Sequence, residues 1–145
     1  MSLFQTLSVS ASGMSAQSMR AQTITENLAN AETTRTPDGG PYRRRDVVFE
    51  TQSQSSPFSS VFQQELSPDA MGVAVAEVRE DTRPPLLRYQ PGHPHAGADG
   101  YVGYPHISPV EEMVDLMGAS RGYQANVASF NAAKDMVQKS IDLMR

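Results

Sequence analysis

The sequence predicts an α+β fold: long N- and C-terminal α-helices packing as a coiled-coil-like helical layer, with a small β-rich domain inserted between them. Three observations carry this. The C-terminal stretch holds a sustained apolar heptad behind a helix-start signal. The N-terminal stretch holds a weaker heptad on a nearly uncharged segment, and the region between alternates strand-like runs with Pro/Gly clusters. The 145 residues then divide into a helical part, 1–35 and 107–145, and an insertion, 36–106.

The N-terminal helix begins at Ser2, which with Gln5 forms a capping box, each side chain able to satisfy a free N–H of the first turn. Its heptad track reads Phe4, Leu7, Ala11, Met14, Ser18, Ala21, Thr25 and Leu28. Between Ser2 and Asn30 only Arg20 and Glu26 are charged. A solvated helix face normally carries Lys and Glu, so small uncharged faces point to packing on several sides. Asn27, Leu28, Ala29 and Asn30 close the helix, with Asn expected to take the left-handed turn at its end. "PDGGP" follows, and Gly39, Gly40 and Pro41 reverse the chain. The joint reads as a hinge.

Arg43, Arg44 and Arg45 lead into the strand-like "RDVVFET". On a pleated strand Arg43 and Arg45 share one face and Arg44 takes the other. In a chain of net charge -4 they are expected at a subunit or interdomain contact, one face meeting the acidic stretch near Glu77, Glu80 and Asp81. "TQSQSSPFSS" is a polar low-complexity loop, expected to be mobile near 51–62. "GVAVAEVRED" reads as a strand. "PPLLRYQPGHPHAGADGYVGYP" gives two short strands about a Pro/Gly-rich loop, Asp99-Gly100 supplying the turn.

The C-terminal helix opens on Ser108 as N-cap, Pro109 at the first helical position and Glu111 at the third. Glu111, Glu112 and Asp115 sit at the positive end of the helix dipole. The track Met113, Leu116, Ser120, Tyr123, Val127, Phe130, Lys134, Val137, Ile141, Met144 is apolar at eight of ten positions. Gly118 and Gly122 cost about 1 kcal/mol each against Ala; close approach by a partner and local tolerance are both open readings.

Chemistry finds little support. An acidic chain argues against nucleic-acid binding, and without cysteine there is neither disulfide scaffold nor thiolate metal site. His93, His95 and His106 lack a carboxylate placed to orient them and sit among Pro and Gly, which is the pattern of loop histidines. No G-x-S-x-G, G-x-G-x-x-G or Walker loop occurs. No enzyme, cofactor or metal is expected. The N-terminus lacks a basic region before a continuous apolar stretch, unlike a secretory signal, and nothing approaches the ~20 apolar residues of a membrane span; the default compartment from composition is the cytoplasm.

Several stretches together resemble one family. "LSVSASGMSAQSMRAQTITENLANAETTRTPDGGPYRRRDVVF" is similar to the N-terminal signature of flagellar basal-body rod proteins, and its "TRTPDGGPYRR" continuation to their proximal-rod members. "YQPGHPHAGADGYVGYP" and "PVEEMVDLMGASRGYQANVASFNAAK" resemble the same proteins, so that only about 51–80 lies outside the likeness. The resemblance implies a structural subunit that polymerises through its terminal helices into a hollow axial rod crossing the periplasm. It implies export by the flagellar type III apparatus without a cleaved signal, which replaces the cytoplasmic default. The implied partners are copies of itself, other proximal and distal rod proteins, the basal-body adaptor protein and the export apparatus, with no nucleic acid and no direct membrane insertion. The assembly interface is then expected along the two heptad tracks. Taken from the residues alone, the alternative is a small ligand- or metal-binding β-module dimerised by coiled-coil arms.

Overall fold

In the computed structural model, residues 3–53 and 71–143 are described. Two long helices bracket two antiparallel hairpins: α1 (Leu3–Ala29), β1 (Arg45–Ser53), β2 (Met71–Glu80), β3 (Leu86–Tyr89), β4 (Tyr101–Tyr104) and α2 (Pro109–Leu143). The fold is α+β, helices outermost in sequence and strands between them.

The helices pack antiparallel. Gly13 of α1 faces Asn126 of α2, Gln17 faces Gly122, and Asn27 faces Glu112. Small residues make this approach possible. A Cβ on Gly13 would stand 2.8 Å from the Asn126 amide, and one on Gly122 would stand 3.1 Å from Gln17. Gly118 faces open space, so of the two readings of the glycine pair, close approach applies to Gly122 and tolerance to Gly118. The buried residues of α2 are Glu112, Ala119 and Ala133, one per heptad turn apart from the Asn126 position, which is half-buried. The paired face therefore lies one residue before the counted positions Met113, Ser120, Val127 and Lys134. Shape decides this: helices brought close by glycines seat alanine better than methionine.

α1 has a second neighbour. β1 and β2 form a ribbon that packs along it, in the register Arg45↔Glu80 to Ser53↔Met71. Val48 pairs with Glu77 and Phe49 with Val75, leaving Ala76 as a bulge that sharpens the ribbon's twist. Two side chains of α1 pin the ribbon. The Ser12 hydroxyl accepts from the Val73 N–H at 3.1 Å while donating to the Val9 carbonyl. Asn27 holds Arg45 at the other end. Flanked on two sides, α1 still keeps an exposed stripe of Ala11, Ser15, Ser18, Gln22, Thr25 and Ala29, and that stripe carries no charge.

Polar composition does not end β1. Thr51, Gln52 and Ser53 pair with Val73, Gly72 and Met71, because the ladder is held by backbone groups that every residue supplies. The rest of the expected loop, 54–62, lies outside the described residues. β3 and β4 pair from Leu86↔Tyr104 to Tyr89↔Tyr101, and Gly100 turns the chain at a φ of 75°. Val102 and Tyr104 are buried, with the Arg88 guanidinium over the Tyr104 ring and the Tyr104 hydroxyl donating to Gln90. This hairpin leans on the segment after α1: Gly103 faces Pro41 and Pro85, and Thr34 bonds His95.

Candidate functional site

Where α1 ends, β1 begins and α2 starts, four polar side chains, Asn27, Tyr42, Arg44 and Glu112, meet beside the Arg45 backbone. Asn27 is 0% exposed. Its Oδ1 accepts from the Arg45 N–H at 2.9 Å and from the Tyr42 hydroxyl at 3.1 Å. Its Nδ2 donates to the Arg45 carbonyl at 2.7 Å and to Glu112 Oε2 at 3.3 Å. One amide side chain thus satisfies both backbone groups of Arg45, as a neighbouring strand would. The other side of the ribbon's root is closed by the Asp81 N–H, which donates to the Arg44 carbonyl at 2.7 Å.

Glu112 comes from the first turn of α2 and is 1% exposed. A carboxylate so enclosed needs a cation, and Arg44 supplies it: Arg44 Nε donates to Glu112 Oε1 at 2.6 Å. Asp115 and Asp46 stand further off, at 3.7 and 3.9 Å from the same guanidinium. Burial alone would lower the Arg44 pKa, but the Glu112 hydrogen bond and charge, with Asp46 and Asp115, hold it above the usual arginine value. Burial raises the Tyr42 hydroxyl against the pull of Arg45, keeping it a donor to Asn27. The Arg45 side chain turns outward to Glu80 at 3.2 Å.

The three arginines therefore separate. Arg44 meets α2, Arg45 meets Glu80 on β2, and Arg43 is exposed. Asp81 pairs instead with Arg83, whose side-chain and backbone N–H groups hold that carboxyl at about 2. Sequence reasoning assigned Glu112 to the helix start alone; its burial has no local signal, since its partners lie 68 and 85 residues away.

Helix closure also differs from expectation. No non-glycine residue among those described has a positive φ, so Asn30 is not left-handed. The end tightens instead: Ala31 N–H donates to the Leu28 carbonyl, and the Asn30 side chain donates back to the Glu26 carbonyl. An amide that can reach the preceding turn removes the need for a left-handed residue. The reversal falls to Gly39 and Gly40, at φ of 86° and 84°, with Thr36 accepting from Gly39 and donating to Gly40.

Of the track residues, Leu7, Met14, Ala21, Leu28, Leu116, Val127, Phe130 and Val137 are half-buried. Ala11, Met113, Tyr123 and Ile141 are exposed, Phe4 by 79%; Met144 lies outside the described residues. Val110, Met113, Val114 and Met117, at i, i+3, i+4 and i+7, form an apolar stripe on the face of α2 turned away from α1, each more than half exposed. His93 and His95 sit edge to face at 5.3 Å, and Thr34 takes His95 Nδ1. No described helix is long and apolar enough to cross a membrane.

Two family models match this chain. One, described as flagella basal body rod protein, covers residues 7–35. The other, described as flagellar basal body rod FlgEFG protein C-terminal, covers residues 98–143. The chain is 36% identical to the flagellar basal-body rod protein FlgC of Borreliella burgdorferi, over 100% of this chain and 99% of that one. It is 39% identical to the FlgC of Bacillus subtilis, over 99% of each, and 40% identical to that of Escherichia coli O157:H7, over 99% of this chain and 98% of the other.

Proposed function

The chain belongs to the flagellar basal-body rod protein family, and we propose that it is the subunit of the proximal rod that polymerises through α1 and α2, its role structural and not catalytic. It reaches the periplasmic rod by the flagellar type III export apparatus. There it contacts copies of itself, other proximal and distal rod proteins and the basal-body adaptor protein. The observation that carries this reading is the apolar surface left uncovered: Phe4 at the start of α1, and Val110, Met113, Val114 and Met117 along α2. The helix pair buries its facing sides on itself, and α1 a further side on the ribbon. Large side chains in water cost about 1.5–3 kcal/mol each relative to full burial, and a neighbouring subunit is what would cover them.

The assembly interface then comprises the uncovered part of the two tracks, Phe4, Ala11, Met113, Tyr123 and Ile141, joined by Val110, Val114 and Met117. The half-buried part, including Leu116, Phe130 and Val137, holds the subunit's own helices together. Arg43 and Arg45 face outward from the ribbon's root, where the outer region would meet a neighbour.

The test is complementation of a strain lacking this gene with a Met113→Glu/Met117→Glu chain. These positions are exposed in the subunit, so its unfolding midpoint should move by no more than the equivalent of about 0.5 kcal/mol. Motility should be lost, with isolated basal bodies ending before the rod. Full basal bodies and parental motility would overturn the proposal.

A further inference from the structure

We infer that Glu112 is a coincidence latch: α2 closes on α1 only when Arg44 is seated, so that helix pairing and ribbon docking occur as one event. The joint brings together three segments, and each contributes what the others lack. Asn27 of α1 grips the Arg45 peptide on both its N–H and its carbonyl, which delivers the preceding residue, Arg44, toward α2. Glu112 is the buried member of the joint that travels with α2, Asp115 standing further off at 3.7 Å from the same guanidinium. Its Oε1 is taken by Arg44 at 2.6 Å and its Oε2 only by the longer 3.3 Å bond from Asn27. With the arginine removed, a carboxylate enclosed to 1% exposure keeps a single neutral donor. A buried charge stripped of its partner is strongly destabilising, and the chain relieves it by withdrawing the element that bears it. That element is α2.

The coupling is reciprocal, as a coupling free energy must be. Ribbon seating favours helix pairing because it presents the cation, and helix pairing favours ribbon seating because it presents the anion. The outer region is thereby oriented relative to the helices in the same step that pairs them. The latch acts within one subunit and needs no neighbour.

The chain has no cysteine, so one introduced pair can report helix closure. Gln17 and Gly122 face each other across α1 and α2, and Gln17 Oε1 makes no hydrogen bond. In the full-length Gln17→Cys/Gly122→Cys chain, equilibration in a glutathione buffer gives the effective concentration of one thiol at the other. This reads pairing even where the closed state is a minority. Adding Arg44→Ala should lower that concentration about a hundredfold. Adding Glu112→Gln to the same chain should restore most of it, because an amide has no charge to strand. An unchanged effective concentration on Arg44→Ala would overturn the latch, and so would a loss that Glu112→Gln fails to restore, which would mark simple unfolding.

Discussion

Replacing Asn27 by alanine separates two roles that predict opposite signs. A residue that merely closes a helix in its last turn would tolerate Ala, the best helix former, and gain roughly 0.5 kcal/mol. Asn27 instead makes four hydrogen bonds while wholly buried: two to the Arg45 backbone at 2.7 and 2.9 Å, one to Tyr42 at 3.1 Å and one to Glu112 at 3.3 Å. Its loss leaves the Arg45 N–H and carbonyl without the partner a second strand would give, and an unsatisfied buried group costs about 1–3 kcal/mol. Water entering the vacated space recovers part of this. Two stranded backbone groups, half recovered, amount to about 2 kcal/mol, and that is the expected loss for Asn27→Ala. Asn27→Asp should cost more, because it keeps the acceptor, loses both donors and sets a second carboxylate beside Glu112. Urea unfolding of the full chain, followed by far-ultraviolet circular dichroism, would measure both, with the slope checked against the parent to confirm that the unfolded state is unchanged. A variant Asn27→Ala as stable as the parent, or more so, would refute the reasoning.

Gly118→Ala should stabilise the chain by about 1 kcal/mol, since open space surrounds the added methyl and glycine is costly within a helix; Gly13→Ala should destabilise it, because the methyl meets Asn126, and thermal unfolding of the pair gives both signs. Asp81 titrates at about 2 in the folded chain against 3.8 for a free carboxyl. Its contribution is therefore present above about 4 and lost as pH falls through about 2, and carbon-detected NMR of the Asp81 carboxyl should place its midpoint there, rising toward the free value in Arg83→Ala. Val102, on β4 opposite Arg88 and 1% exposed, should cost about 2 kcal/mol on replacement by alanine (Val102→Ala), read as a lowered unfolding midpoint.

Periodicity made the elements legible and left their faces unresolved. The heptads of both helices were visible because each carries large apolar residues at steps of three and four. Leu116, Phe130 and Val137 do lie toward α1, while Met113 and Ile141 do not. A count that scores size cannot see a face built for closeness, where Ala119 and Ala133 are buried and Gly13 and Gly122 admit the neighbour. Gly13 was one available signal, since a glycine inside a long helix can admit a close neighbour, though Gly118 faces open space. The turn at Gly39–Gly40 and the strands followed from local chemistry. The joint did not, since Asn27 and Glu112 are 85 residues apart and each has an adequate local explanation, one as a helix end and the other as a dipole partner. Only the fold reveals that both are buried.

The two pins on α1 set a length standard. Ser12 and Asn27 are fifteen residues apart on the helix, about 22 Å at 1.5 Å per residue. Along the ribbon, Arg45 and the Thr51 opposite Val73 are six residues apart, about 20 Å at 3.3 Å per residue. The two rulers agree at this length and at few others. One residue added to α1 between the pins would swing Asn27 by about 100°. Seven would restore its direction but carry it about 10 Å, or three strand residues, and an odd step presents the ribbon's opposite face. Eighteen residues, five turns and about 27 Å, would bring Asn27 back to its direction and meet the strand again at eight residues. The interval from Ser12 to Asn27 is thus frozen in length even where its side chains are free to change. Insertions and deletions among related chains should spare the interval from Ser12 to Asn27, where both rulers have to be matched.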